Sequence, residues 1–242
     1  MNTRQNEQVG HLVIAAVLVV FLPQLPFGQF LSYPFLLLTT WFHEMGHGIA
    51  ALAMGWDFER LYLLPDGSGL AESFPDADAG RMEQAIVGAG GPLAPSVAGA
   101  GLILATRWRE AWRPTLLILA GAIVLSVIVY IRSSAGMIAL PLLAGGIVGI
   151  ALRAPALWRR FTLQFLGMVA ALSMFSDWHY LFTYSAVIGG QTMLSDTGQM
   201  QAALALPYWL WAILIVIASF AMVGAALKYA LSEDGSAGRW PR

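Results

Sequence analysis

Residues Pro34 to Met54 read PFLLLTTWFHEMGHGIAALAM. The run is long enough for one membrane helix, which needs about 20 apolar residues. In its middle stands His43-Glu44-Met45-Gly46-His47. Residues four apart on a helix share a face and lie about 6 Å apart along the axis. His43 and His47 can therefore turn two imidazole nitrogens toward one metal ion, with Glu44 beside them. This is the H-E-x-x-H arrangement: two zinc ligands and a carboxylate able to take a proton from water. The alternative use of the same three groups is a polar clamp between helices, without a metal. That use is the weaker one, because ionisable groups inside an apolar helix are costly and zinc offsets the cost by binding imidazole.

The surrounding composition sets the class. Of 242 residues, 58% are hydrophobic and 11% charged, against about 25% charged in soluble domains. This is the composition of an integral, multi-pass membrane protein. A formal net charge of −1 and the lack of a basic cluster argue against nucleic acid as a partner. The absence of cysteine removes disulfides, thiolate zinc sites and cysteine nucleophiles. Seven apolar segments are candidates for spans, near 10–31, 34–54, 83–106, 114–131, 134–152, 161–189 and 207–230. The expected fold is an all-α polytopic membrane protein of about six to seven transmembrane helices, with the zinc motif inside the second. Residues 1–231 form a single helical domain and 232–242 a polar tail. The first segment contains Pro23 and Pro26, so it is expected to bend. The Pro23–Gly28 stretch lacks a small-x-small cleavage pattern, so the segment reads as a retained span rather than a signal peptide. Arg132-Ser133-Ser134 marks a tight helical hairpin between the fourth and fifth segments.

Basic residues set the expected orientation. With the N-terminus outside, Arg107, Arg109, Arg113, Arg153, Arg159, Arg160, Lys228, Arg239 and Arg242 fall inside, and Arg4, Arg60, Arg81 and Arg132 outside. The C-terminus is accordingly placed in the cytoplasm, with the cell membrane as the host bilayer.

Three further stretches bear on chemistry. The polar connection from Gly55 to Arg81 contains Leu61-Tyr62-Leu63-Leu64 and Pro65-Asp66-Gly67-Ser68-Gly69, a short strand and a turn. It is either a solvated acidic loop or an edge strand that pairs with an unfolded peptide. Ala89-Gly90-Gly91-Pro92-Leu93-Ala94-Pro95 opens the third segment with small residues that allow close helix approach. Asp177, in Phe175-Ser176-Asp177-Trp178-His179, is the first choice for a third metal ligand, because a carboxylate in hydrocarbon must pair, protonate or bind a cation. His179 points to another face. Asp196, in Ser195-Asp196-Thr197-Gly198-Gln199, is the second choice. Its ordinary alternative is capping a short helix that runs to Leu206.

Taken together, H-E-M-G-H in a membrane helix, a strand-like loop and A-G-G-P-L-A opening the next helix resemble the site-2 protease family of intramembrane zinc metallopeptidases. The likeness is closest to its compact branch without PDZ domains. The family's second motif commonly reads A-G-P-x-A-N, and Pro95 stands here at the Asn position. Its third ligand is usually an aspartate followed by glycine in a later helix. Here Asp-Gly occurs only at Asp66-Gly67 and Asp234-Gly235. Within the compact branch the comparable positions resemble Asp177 and Ser195-Asp196. The resemblance implies a Zn2+ cofactor held by His43, His47 and an aspartate, and Glu44 as catalytic base. It further implies hydrolysis of peptide bonds in or near transmembrane segments of substrate proteins in the lipid bilayer. A zinc-binding scaffold or regulator without proteolytic activity is the alternative. An ion transporter is weaker, because no repeated half-structures are evident.

Overall fold

The computed structural model describes residues 3–176 and 178–232. It is the expected helical polytopic membrane protein, with two small β-hairpins added. The helices are α1 (Thr3–Phe21), α2 (Gly28–Ala53), α3 (Arg81–Ala105), α4 (Arg109–Val129), α5 (Ser134–Arg153), α6 (Ala156–Ser176), α7 (Trp178–Leu181), α8 (Asp196–Leu204) and α9 (Tyr208–Leu231). The strands are β1 (Asp57–Leu63), β2 (Gly69–Phe74), β3 (Ser185–Ile188) and β4 (Gln191–Leu194). Among the described residues, α3, α4, α5 and α9 are each long and apolar enough to cross a membrane, and α1 with α2 form a further, bent candidate.

The first expected segment, 10–31, divides between two helices. Pro23 lies in a short 3-10 turn, Leu22–Gln24, and Phe27 takes a left-handed conformation (φ 63°). The chain then turns by 118° into α2. Gly28, at the start of α2, sits against the carbonyl of Leu22 where no side chain would fit. Consequently α2 begins before Pro34, which the helix accommodates within its first two turns.

The Gly55–Arg81 connection folds as the antiparallel β1–β2 hairpin, in register from Asp57↔Phe74 to Leu63↔Gly69. An irregularity between Phe58 and Arg60 shifts the alternation of faces. Phe58, Leu61 and Leu63 are thereby all buried in the helical core with Leu37, Leu38, Ile131 and Leu140. The turn relies on Gly67 at φ +91°, where a Cβ would be strained. Beside it Asp66 accepts from Ser68 Oγ (2.7 Å) and Ser68 N (2.9 Å). Those bonds hold the Asp66 carboxyl below its ordinary range. The outer edge of β1 is closed by the α4–α5 turn. Leu61 N donates to Tyr130 O (2.9 Å), Arg132 N to Leu61 O (3.0 Å) and Leu63 N to Ser133 Oγ (2.8 Å). Among the described residues no strand pairs with the outer edge of β2, which is the open edge of this hairpin.

The central helix is α3, which packs against α2, α6, α8 and α9. Small residues make the α2–α3 crossing close: a Cβ on Gly90 would lie 2.7 Å from Ala50 Cβ and from Gly46 O. The segment expected as one helix over 161–189 is not one. Helix α6 ends at Ser176, α7 is a single turn, and the chain then forms the β3–β4 hairpin, in register from Ser185↔Leu194 to Ile188↔Gln191. Gly189 and Gly190, read from sequence as a flexible exit, form its turn, both with positive φ. The short helix expected after Ser195 is present as α8. Of the polar tail, Ser232 caps α9, and 233–242 lie outside the described residues.

A candidate metal centre

Helix α2 presents His43 and His47 one turn apart, their Nε2 atoms 3.2 Å from each other. Both nitrogens face the carboxylate of Asp196. His43 Nε2 lies 3.0 Å from Oδ2, and His47 Nε2 3.2 Å from Oδ1. One ligand atom from each of the three residues falls within 4.8 Å of the others. The structure thus unites His43, His47 and the second-choice aspartate, while Asp177 lies outside the described residues.

The donor set fits zinc. Two imidazoles and one carboxylate are a common catalytic set that leaves a fourth position for water. His47 Nδ1 lies 2.7 Å from Val87 O. Donation there places the proton on Nδ1 and leaves the Nε2 lone pair facing the centre. Asp196 is 2% exposed. Its Oδ2 has no hydrogen-bond partner of good geometry among the described residues, only the His43 imidazole beside it. A buried carboxylate oxygen in that state is expensive unless a cation or proton occupies the space before it.

The rest of the site explains why these side chains converge. Ser195 caps α8 by accepting from Gly198 N (3.0 Å) and donates to Thr183 O. Thr197 Oγ1 donates to Leu181 O (2.8 Å) and Ser195 N to Tyr184 O (3.0 Å). These bonds tie the start of α8 to the chain just after α7, closing the base of the β3–β4 hairpin. Asp196 is then the first helical residue rather than the cap, and its side chain is free to face α2. On α3, Gly91 lies against the imidazole of His47, and Gly88 faces Met200 and the Asp196 carbonyl, 3.4 Å from where a Cβ would sit. The small residues of the A-G-G-P-L-A stretch therefore make room for the His47 imidazole as well as for a helix crossing.

Glu44 is 7% exposed and stands apart from the three-residue cluster. Its side chain abuts Gly69 at the start of β2, where a Cβ would come within 2.6 Å of Cγ and 2.8 Å of Oε1. Thr40 Oγ1 donates to Gly67 O (2.6 Å), fixing the hairpin on the same helix. Glu44 is thus placed next to His43 on α2 and against the start of β2.

A family model described as Peptidase M50B-like matches residues 11–226. The chain belongs to that family. No curated protein and no solved structure matches it. Membership in the Peptidase M50B-like family places the chain among the site-2 protease type of intramembrane zinc metallopeptidases, and the match spans His43, Glu44, His47 and Asp196. Sequence reasoning missed Tyr180, whose hydroxyl donates to Asp196 Oδ1 (3.2 Å), and the spacing roles of Gly69 and Gly91. An aromatic residue near a membrane boundary carried no distinguishing signal, because such residues are common there.

Proposed function

We propose that this protein is an active intramembrane zinc endopeptidase, with His43, His47 and Asp196 as the zinc ligands and Glu44 as the general base. The observation that carries the reading is the convergence of two imidazole nitrogens and a buried, incompletely partnered carboxylate, with a second carboxylate alongside. Bound zinc supplies Lewis acidity, polarising a carbonyl and acidifying water. Glu44 takes the proton from the attacking water and returns it to the departing amine. An extended substrate segment adds to the open β2 edge, which sets its backbone against Glu44 and spares the enzyme from attacking a helix whose peptide bonds are hidden. Substrates are transmembrane or membrane-proximal segments of other proteins that unwind locally. The C-terminus lies in the cytoplasm, with the cell membrane as the host bilayer.

The test uses protein in detergent with a fluorogenic, unfolded transmembrane peptide. Glu44→Gln is expected to retain zinc in metal analysis while cleavage falls by about 10²- to 10⁴-fold. Full cleavage by that variant would sink the mechanism. A wild type that holds zinc but cleaves none of a panel of membrane peptides would favour the scaffold reading. The same metal analysis on Asp177→Ala and Asp196→Ala decides between the two aspartates: zinc should be lost only from the second.

A further inference from the structure

We infer that Tyr180 is a positioning residue that gives the two oxygens of Asp196 different roles. The inference rests on the zinc reading proposed above. Each oxygen of Asp196 faces one imidazole, Oδ1 that of His47 at 3.2 Å and Oδ2 that of His43 at 3.0 Å, but only Oδ1 also accepts the Tyr180 hydroxyl, at 3.2 Å. A carboxylate with both oxygens equivalent can bind a metal through either or both. One whose Oδ1 is occupied by a neutral donor offers Oδ2 preferentially. Outer hydrogen bonds of this kind orient ligands and tune the metal.

The placement is structural as well as chemical. Tyr180 is in α7, directly before the backbone that anchors Ser195 and Thr197 through Leu181, Thr183 and Tyr184. The positioning group and the ligand it positions thus belong to one folded unit, 180–198, which meets α2 at His43 and His47. The Tyr180 ring also flanks His43, with centroids 6.4 Å apart at 70°. The phenol is therefore held against both a ligand and its neighbour. Tyr180 remains a donor throughout; nothing in the role calls for its ionisation.

Tyr180→Phe removes the hydroxyl and keeps the ring. With Zn2+ competed against a fluorescent chelator, the variant is expected to bind zinc about 10- to 100-fold more weakly than wild type. Loaded with Co2+ in place of zinc, its visible absorption should weaken, as expected when the carboxylate contributes both oxygens and the coordination number rises. Placing 4-aminophenylalanine at position 180 restores a donor and should recover affinity and spectrum, which separates the hydrogen bond from the ring's packing. Unchanged zinc affinity and unchanged cobalt absorption in Tyr180→Phe would overturn the inference, including when cleavage alone is lost. Failure of the zinc reading looks different: in that case wild type and Asp196→Ala hold equally little zinc.

Discussion

At the scale of single residues, the site depends on an atom that is missing. Gly91 has no Cβ, and a Cβ there would overlap Nε2, Cε1 and Cδ2 of the His47 ring. The ring cannot yield easily, because His47 Nδ1 is held by Val87 O at 2.7 Å on the same helix as Gly91. Gly91→Ala is therefore expected to displace the imidazole and weaken zinc binding by about 10- to 100-fold, the usual cost of misorienting a ligand. Gly101→Ala, on the same helix with open space around it, should leave affinity unchanged. Chelator competition on the two variants tests this directly, and equal affinities would show that His47 tolerates the overlap. His43, Glu44 and His47 were legible in sequence because their spacing matches the helical repeat. Gly91 was legible only as a small residue, since nothing in a single chain says which neighbour a glycine admits.

At the scale of elements, the unit from α7 to α8 decides whether the Asp196 carboxylate reaches the two histidines of α2. Its base is secured by Ser195, which accepts from Gly198 N and approaches Thr197 Oγ1 at 3.1 Å. Ser195→Ala removes a helix cap worth about 1 kcal/mol and releases the turn that aims Asp196. The expected result is a lower thermal midpoint together with weaker zinc binding. A lower midpoint with full affinity would mean that Asp196 is held by α8 packing alone. This unit was also the least legible part of the fold. Ser-Ala-Val-Ile and Gln-Thr-Met-Leu are four-residue runs in a chain that is apolar nearly everywhere, so neither helical nor alternating periodicity stands out. Continuing the preceding apolar segment to 189 was the natural reading, and it placed Asp177 in mid-membrane. Ser195 and Asp196 were recognised as a helix start. Which of two adjacent residues caps and which faces inward depends on contacts with Leu181, Thr183 and Tyr184 that no local pattern encodes. The Gly55–Arg81 connection fared better, because Pro-Asp-Gly-Ser-Gly is a turn wherever it occurs.

At the scale of the whole molecule, composition alone established a helical membrane protein, while the convergence of positions 43, 47 and 196 follows from how helices order around α3. That order rests on close approaches such as Gly46 to Gly90 and Gly99 to the Ala171 backbone, which require a three-dimensional partner to be recognised. The structure does sort the connections into two ends. Leu61 bonds to Tyr130 and Arg132, and Leu64 lies near Gly189, so the β1–β2 hairpin, the α4–α5 turn and the β3–β4 turn share one end. At the other, Arg107 donates to Tyr229 O and Ser232 Oγ and stacks over the Tyr229 ring, bringing the α3–α4 connection to the end of α9. Arg160 lies over the Trp112 ring near the start of α4, so the basic residues around Arg107, Arg109, Arg113, Arg153, Arg159 and Arg160 gather at that second end, and on the positive-inside rule we propose that this end faces the cytoplasm. The chain has no cysteine, so single cysteines can report on this without background. Asp78→Cys, exposed between β2 and α3, and Glu110→Cys, exposed at the start of α4, change acidic residues that contribute little to orientation. In intact cells a membrane-impermeant maleimide is expected to label position 78 and to reach position 110 only after permeabilisation. The reverse pattern would mean that the protein sits the other way round in its membrane, with the β2 edge on the cytoplasmic side.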